Sequence, residues 1–88
     1  MKSNRGGSSE QLAETVRKIR TPQDLTRADG PPLTTSQLAY VTGMSATFIR
    51  TEIRAGMLRA VVVGRGRRRV FRILFRDAQR YLRKLGLI

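Results

Sequence analysis

The side chains best equipped for chemistry in this chain are arginines, and they fall in two clusters. Residues 64–69 read Gly-Arg-Gly-Arg-Arg-Arg, between two short β-branched or aromatic runs, Ala60 to Val63 and Val70 to Ile73. That pattern predicts a hairpin with Arg65, Arg67, Arg68 and Arg69 at its tip. A guanidinium presents a planar donor fork that matches phosphate oxygens and fits the narrow minor groove of DNA. Gly66 lets the backbone approach a surface that a Cβ would hold away. The second cluster lies upstream. Arg50 and Arg54 stand one helical turn apart, on a predicted helix face that also carries Thr47 and Thr51. An arginine so placed can bond guanine O6 and N7 together, a contact worth about 1–3 kcal/mol of discrimination. Threonine offers a methyl to thymine or a hydroxyl to phosphate. The chemistry on offer is therefore non-covalent recognition of a polyanion.

Catalytic chemistry has little to work with. The chain has no His, the usual general base at neutral pH, and no Cys, so it has neither a thiolate nucleophile nor a disulfide. Its six carboxylates, Glu10, Glu14, Asp24, Asp29, Glu52 and Asp77, are scattered, with no acid–base pair among them. Gly64-Arg65-Gly66 lacks the third glycine of a nucleotide loop and is followed by a strand. Tyr40 and Tyr81 fall on helical stripes, where a tyrosine is usually core. The expectation is a binding protein, not an enzyme, with no cofactor and no metal.

Charge supports a nucleic-acid partner. Eighty-eight residues make one small domain, with 18 Lys plus Arg against 6 Asp plus Glu, a net charge of +12. Ser45 to Ile88 hold 12 basic and 2 acidic residues, so most of the excess lies in the second half. No strictly apolar run exceeds the length of Ala60 to Val63, too short for a membrane span or a signal-peptide core. No membrane partner is expected, and the expected place is the cytoplasm, on the nucleoid of a bacterial host.

Three segments position these groups. Residues 1–8 are polar and Gly-rich, and are read as a disordered tail. Residues 9–32 are read as an extra N-terminal helix and a connector. The helix carries Leu12, Val16 and Ile19 as a narrow apolar stripe; Thr21-Pro22 stops it and Asp29-Gly30-Pro31-Pro32 is a second break. Residues 33–88 are dense with signals. Thr35 or Ser36 can cap a helix over Ser36 to Thr42, and Gly43 permits its end. Ser45 caps a second helix, Ala46 to Ala55, which Gly56 closes. Strands follow over Arg59 to Val63 and Arg68 to Ile73, with Phe71 and Ile73 facing the core and Val70 and Arg72 facing away. A last helix, Arg76 to Leu85, sets Ala78, Tyr81, Leu82 and Leu85 on one stripe. The expected fold is mainly α with a small β-hairpin wing: a winged helix-turn-helix preceded by an extra N-terminal helix.

The ordered string Leu33-Thr34-Thr35-Ser36-Gln37-Leu38-Ala39, Gly43-Met44-Ser45, Ile49 to Ile53 and Arg54-Ala55-Gly56-Met57-Leu58 resembles the excisionase-type winged helix-turn-helix domains. These are relatives of the DNA-binding domain of MerR-type regulators. Ala60 to Gly64, Arg67-Arg68-Arg69, Phe71-Arg72-Ile73, Asp77 and Tyr81-Leu82 continue the match, which covers roughly Leu33 to Lys84. The resemblance implies that the second helix enters the major groove with Thr47, Arg50, Thr51 and Arg54. It implies that the wing meets the minor groove or backbone through Arg65, Gly66, Arg67, Arg68 and Arg69, and that Ser36, Ser45 and Arg72 meet the backbone. Glu52 departs from the pattern, standing where relatives carry a large apolar or aromatic residue. Leu74-Phe75 departs too, replacing a proline-containing approach to the last helix.

The function this resemblance implies is that of a recombination directionality factor of a phage or mobile element. Such a protein binds specific double-stranded DNA sites, bends the DNA and directs an integrase towards excision, with cooperative contacts between protomers on the DNA. MerR-type regulators dimerise through a long C-terminal helix, and with the last helix ending near Ile88 no such dimer is expected. The alternatives are a small transcriptional regulator built on the same domain, and an RNA-binding basic protein. A protein-interaction module using the Leu12, Val16, Ile19 stripe and Leu74-Phe75 is the remaining option.

Overall fold

Side-chain caps at Thr34 and Ser45 fix where the first two α-helices begin. The computed structural model describes residues 19–88. The tail of residues 1–8 and all but the end of the predicted N-terminal helix lie outside them; of its apolar stripe only Ile19 is described, and it is buried in the core. A 3-10 turn over Pro22–Thr26 leads to α1 (Thr35–Thr42), α2 (Ala46–Arg54), β1 (Val61–Val63), a second 3-10 turn (Gly66–Arg68), β2 (Val70–Arg72) and α3 (Phe75–Leu85). Three α-helices and one two-stranded antiparallel sheet thus make up the described chain.

The cap of α1 is Thr34, not Thr35 or Ser36. Thr34 Oγ1 accepts from the Gln37 backbone N–H at 3.0 Å, and Gln37 Oε1 accepts from the Thr34 N–H at 2.8 Å. Only Thr34 has a glutamine three residues on, so only Thr34 can close this reciprocal box. Gly43 ends α1 in the left-handed region, at φ 76°. Ser45 caps α2 as its spacing predicts, its Oγ accepting from the Phe48 N–H at 3.0 Å.

The hairpin pairs Val61 with Arg72, Val62 with Phe71 and Val63 with Val70. Both strands are shorter than predicted. Arg68 belongs to the turn, because its N–H donates to the Arg65 carbonyl at 2.9 Å. Ile73 pairs with Leu33 instead of continuing the hairpin: each backbone N–H donates to the other's carbonyl at 2.8 Å. Both side chains are fully buried, with Leu25, Leu38, Ile49 and Leu82.

α3 closes the core. Phe75, which the chain pattern places before this helix, is its first residue and is buried; its ring fills the space a Cβ on Gly30 would need. Gln79 is buried too, and its Nε2 donates to the carbonyls of Leu25 at 2.9 Å and Arg27 at 2.6 Å, which fastens the connector to α3. The Asp24 carboxylate organises the start of that connector, accepting from the N–H groups of Arg20 and Thr21, and these bonds hold its pKa below the ordinary value. Leu85 does not join the core stripe. Gly86 turns left-handed at φ 78°, the Leu87 N–H donates back to the Leu82 carbonyl at 2.9 Å, and Leu87 and Ile88 cover the core while Leu85 is exposed.

One polar contact joins α3 to α2. The Tyr81 hydroxyl donates to Glu52 Oε1 at 2.8 Å, and burial, followed by the Glu52 carboxylate, raises its pKa from 10.0 to about 12. The neutral phenol is the favoured form. This contribution is complete below pH 10 and is lost as pH rises towards about 12. In a Tyr40→Phe background, where Tyr81 is the only tyrosine, tyrosinate absorbance should titrate with a midpoint near 12, and Glu52→Gln should lower it. A midpoint at the ordinary tyrosine value in the folded protein would show that the contact is not made.

Candidate nucleic-acid interface

Two glycines and one cap place the arginines. Ser45 fixes where α2 starts, and so which residues share its outer face; Arg50 and Arg54 fall one turn apart along it. Gly64 adopts φ 98°, and a Cβ there would strike the Arg68 carbonyl oxygen. Gly66 is left-handed as well, at φ 55°. Side chains other than glycine rarely take these conformations, so the pair sets the shape of the tip.

Between the start of α1, the outer face of α2 and the hairpin lies an open groove of about 680 Å³. Arg50 and Arg54 line it from α2; Arg67, Arg69 and Arg72, with Gly66, line it from the hairpin. Of the residues singled out in the sequence, these six converge. Thr47 and Thr51 are exposed on α2 but do not line the groove, and the Thr51 hydroxyl is engaged with the Thr47 carbonyl at 3.0 Å. Arg65 and Arg68 are exposed at the tip, outside the groove. Ser36 is exposed in the first turn of α1, and the Ser45 hydroxyl is occupied as a cap.

The groove has members that the arginine pattern does not reveal: Thr34, Thr35, Val62, Val70 and Phe71. Val62 and Phe71 are cross-strand partners; Phe71, expected by alternation on the core face, is half-buried and lines the groove instead, while Ile73 alone is buried in the core. Thr34 and Thr35 enter because the Leu33–Ile73 bridge holds the start of α1 beside β2. Arg72 is half-buried, and its guanidinium donates to the Phe71 carbonyl at 3.3 Å.

The electrostatics are one-sided. Among the described residues the one ion pair is Arg80–Asp77, at 3.9 Å, so no described carboxylate lies within ion-pair reach of a groove arginine. Glu52, on the same helix as Arg50 and Arg54, is occupied with Tyr81. Five guanidinium groups around one groove with no counter-charge create a strongly positive local potential, which a polyanion relieves. Among the described residues no three of His, Cys, Asp and Glu cluster as metal ligands, and no helix is long and apolar enough to cross a membrane.

Comparison of the chain with protein-family models, with curated proteins and with solved structures finds no match.

Gly64→Ala tests how far the groove depends on the tip. The hairpin valines are exposed, so the core should lose little of its thermal stability. Elution from a heparin column should nevertheless move to lower salt, because the arginines of the hairpin are no longer aligned with those of α2. Unchanged elution would show that the alignment does not matter.

Proposed function

We propose that this chain is a sequence-specific double-stranded DNA-binding protein, with α1 and α2 as a helix-turn-helix and the hairpin as its wing. The observation that carries the reading is the convergence of Arg50 and Arg54 with Arg67, Arg69 and Arg72 on one groove that has no carboxylate partner among the described residues. The DNA major groove admits an α-helix, and arginines one turn apart on that helix reach base edges. A hairpin beside it follows the backbone or the adjacent minor groove, where arginine is favoured when the groove is narrow. Phosphate contacts set position and affinity, and base contacts set sequence. In this division α2 supplies specificity and the hairpin supplies much of the affinity.

Within that class, the resemblance in sequence favours an excisionase-type directionality factor, acting on DNA near an attachment site with an integrase as partner. A transcriptional regulator would use the same surface, and the two differ in where the binding sites lie.

Selection of bound fragments from the source genome at ~150 mM salt, followed by footprinting, tests both levels. Clustered protected repeats beside an attachment site support the directionality factor, and a lone site over a promoter replaces it with the regulator. Arg50→Ala should cost about 1–3 kcal/mol and relax specificity at a single base pair. Arg68→Ala should weaken binding uniformly across sequences. If about six phosphates are neutralised, affinity falls roughly 10³-fold between about 50 and 200 mM salt. Tighter binding to RNA than to duplex DNA, or no preferred site, would overturn the proposal.

A further inference from the structure

A second basic surface lies outside the groove. Two adjoining clefts, of about 360 Å³ and about 180 Å³, are formed where the segment after α2 meets α3. Arg59, Asp77 and Arg80 line both; Arg76 lines the first and Lys84 the second. Neither cleft shares a lining residue with the arginine groove.

On α3, Arg76, Arg80 and Lys84 recur every fourth residue, so they form one stripe with steps of about 6 Å along the helix. All three are exposed, while Phe75, Ala78, Gln79 and Leu82 of the same helix are buried. Arg59 joins the stripe from the segment between α2 and β1. The one carboxylate present, Asp77, is 7% exposed and 3.9 Å from Arg80. It pairs with Arg80, and the four cations less this one carboxylate leave the surface a net charge of +3. Among the described residues, three of the four cations therefore have no acidic partner.

We infer that Arg59, Arg76, Arg80 and Lys84 form a second phosphate-binding surface, which takes the flanking backbone of the duplex already held in the groove. This rests on the proposed DNA-binding function. A linear array of cations, evenly stepped and nearly free of carboxylate, complements a phosphate backbone. Val61 lines the first cleft and Val62 the groove, so the two surfaces adjoin along β1, and backbone running on from the groove comes within reach of the stripe.

The test uses the full chain and a triple variant, Arg59→Gln, Arg76→Gln, Lys84→Gln, which leaves the Arg80–Asp77 pair in place. Each is titrated on mixed-sequence duplexes of about 12 and about 30 base pairs, roughly one and three helical turns. On the short duplex the variant should bind as the parent does, which also shows that it is folded. On the long duplex it should lose three phosphate contacts, a salt slope shallower by about 3. The parent's advantage should then shrink roughly 40-fold between about 50 and 200 mM salt. Equal binding by parent and variant on both lengths would overturn the inference, as would an equal loss on both. Failure of the parent to bind either duplex would instead remove the DNA-binding function itself.

Discussion

Two backbone hydrogen bonds between Leu33 and Ile73, each 2.8 Å long, hold the candidate interface together. Their position in the chain explains their reach. Thr34, the residue after Leu33, caps α1, and Leu74, the residue after Ile73, is the N-cap of α3. A single bridge therefore ties the entry to the helix pair, the exit from the hairpin and the start of the closing helix. Both bridged side chains are fully buried, so water does not compete for these bonds. The groove between α2 and the hairpin follows from this junction: with the start of α1 pinned beside β2, α2 is carried into place across from the hairpin arginines.

The molecule separates its two kinds of energy in space. Apolar burial is concentrated around Leu25, Leu33, Leu38, Ile49, Ile73 and Leu82, whereas the hairpin valines and the arginines remain outside. Repulsion among the groove arginines is left unrelieved, since the carboxylate on their own helix, Glu52, is occupied with Tyr81. That arrangement makes Glu52 a positioning group: it fastens α2 to α3 on one side and leaves the charge on the other side unneutralised. Where a large apolar residue would have served by packing alone, a hydrogen bond serves here.

Much of the domain was legible because its punctuation is local. Ser45, Gly43 and Gly56 mark helix ends through the needs of their own backbone, and the hairpin is marked by valines on one side of Gly64. Other features are decided by a second residue, near or far. Thr34 wins the cap from Thr35 and Ser36 through Gln37. Leu85 fits a helical stripe, but Gly86 brings Leu87 and Ile88 over the core in its place. Spacing assigns Thr47, Arg50, Thr51 and Arg54 to one face; which of them border the groove depends on where the hairpin stands, and that is set by the junction at Leu33 and Ile73. The same dependence hid Thr34, Val62, Val70 and Phe71.

Val61, Val62, Val63 and Val70 are all at least 45% exposed, so the hairpin draws little cohesion from the core. Its amides belong to the part of the fold that opens most readily, well before global unfolding. Any freedom the tip loses when a ligand binds subtracts from affinity. On the proposed DNA-binding function, a hairpin so weakly tied to the core would follow grooves of unequal width, exchanging residence time for tolerance of variation among sites.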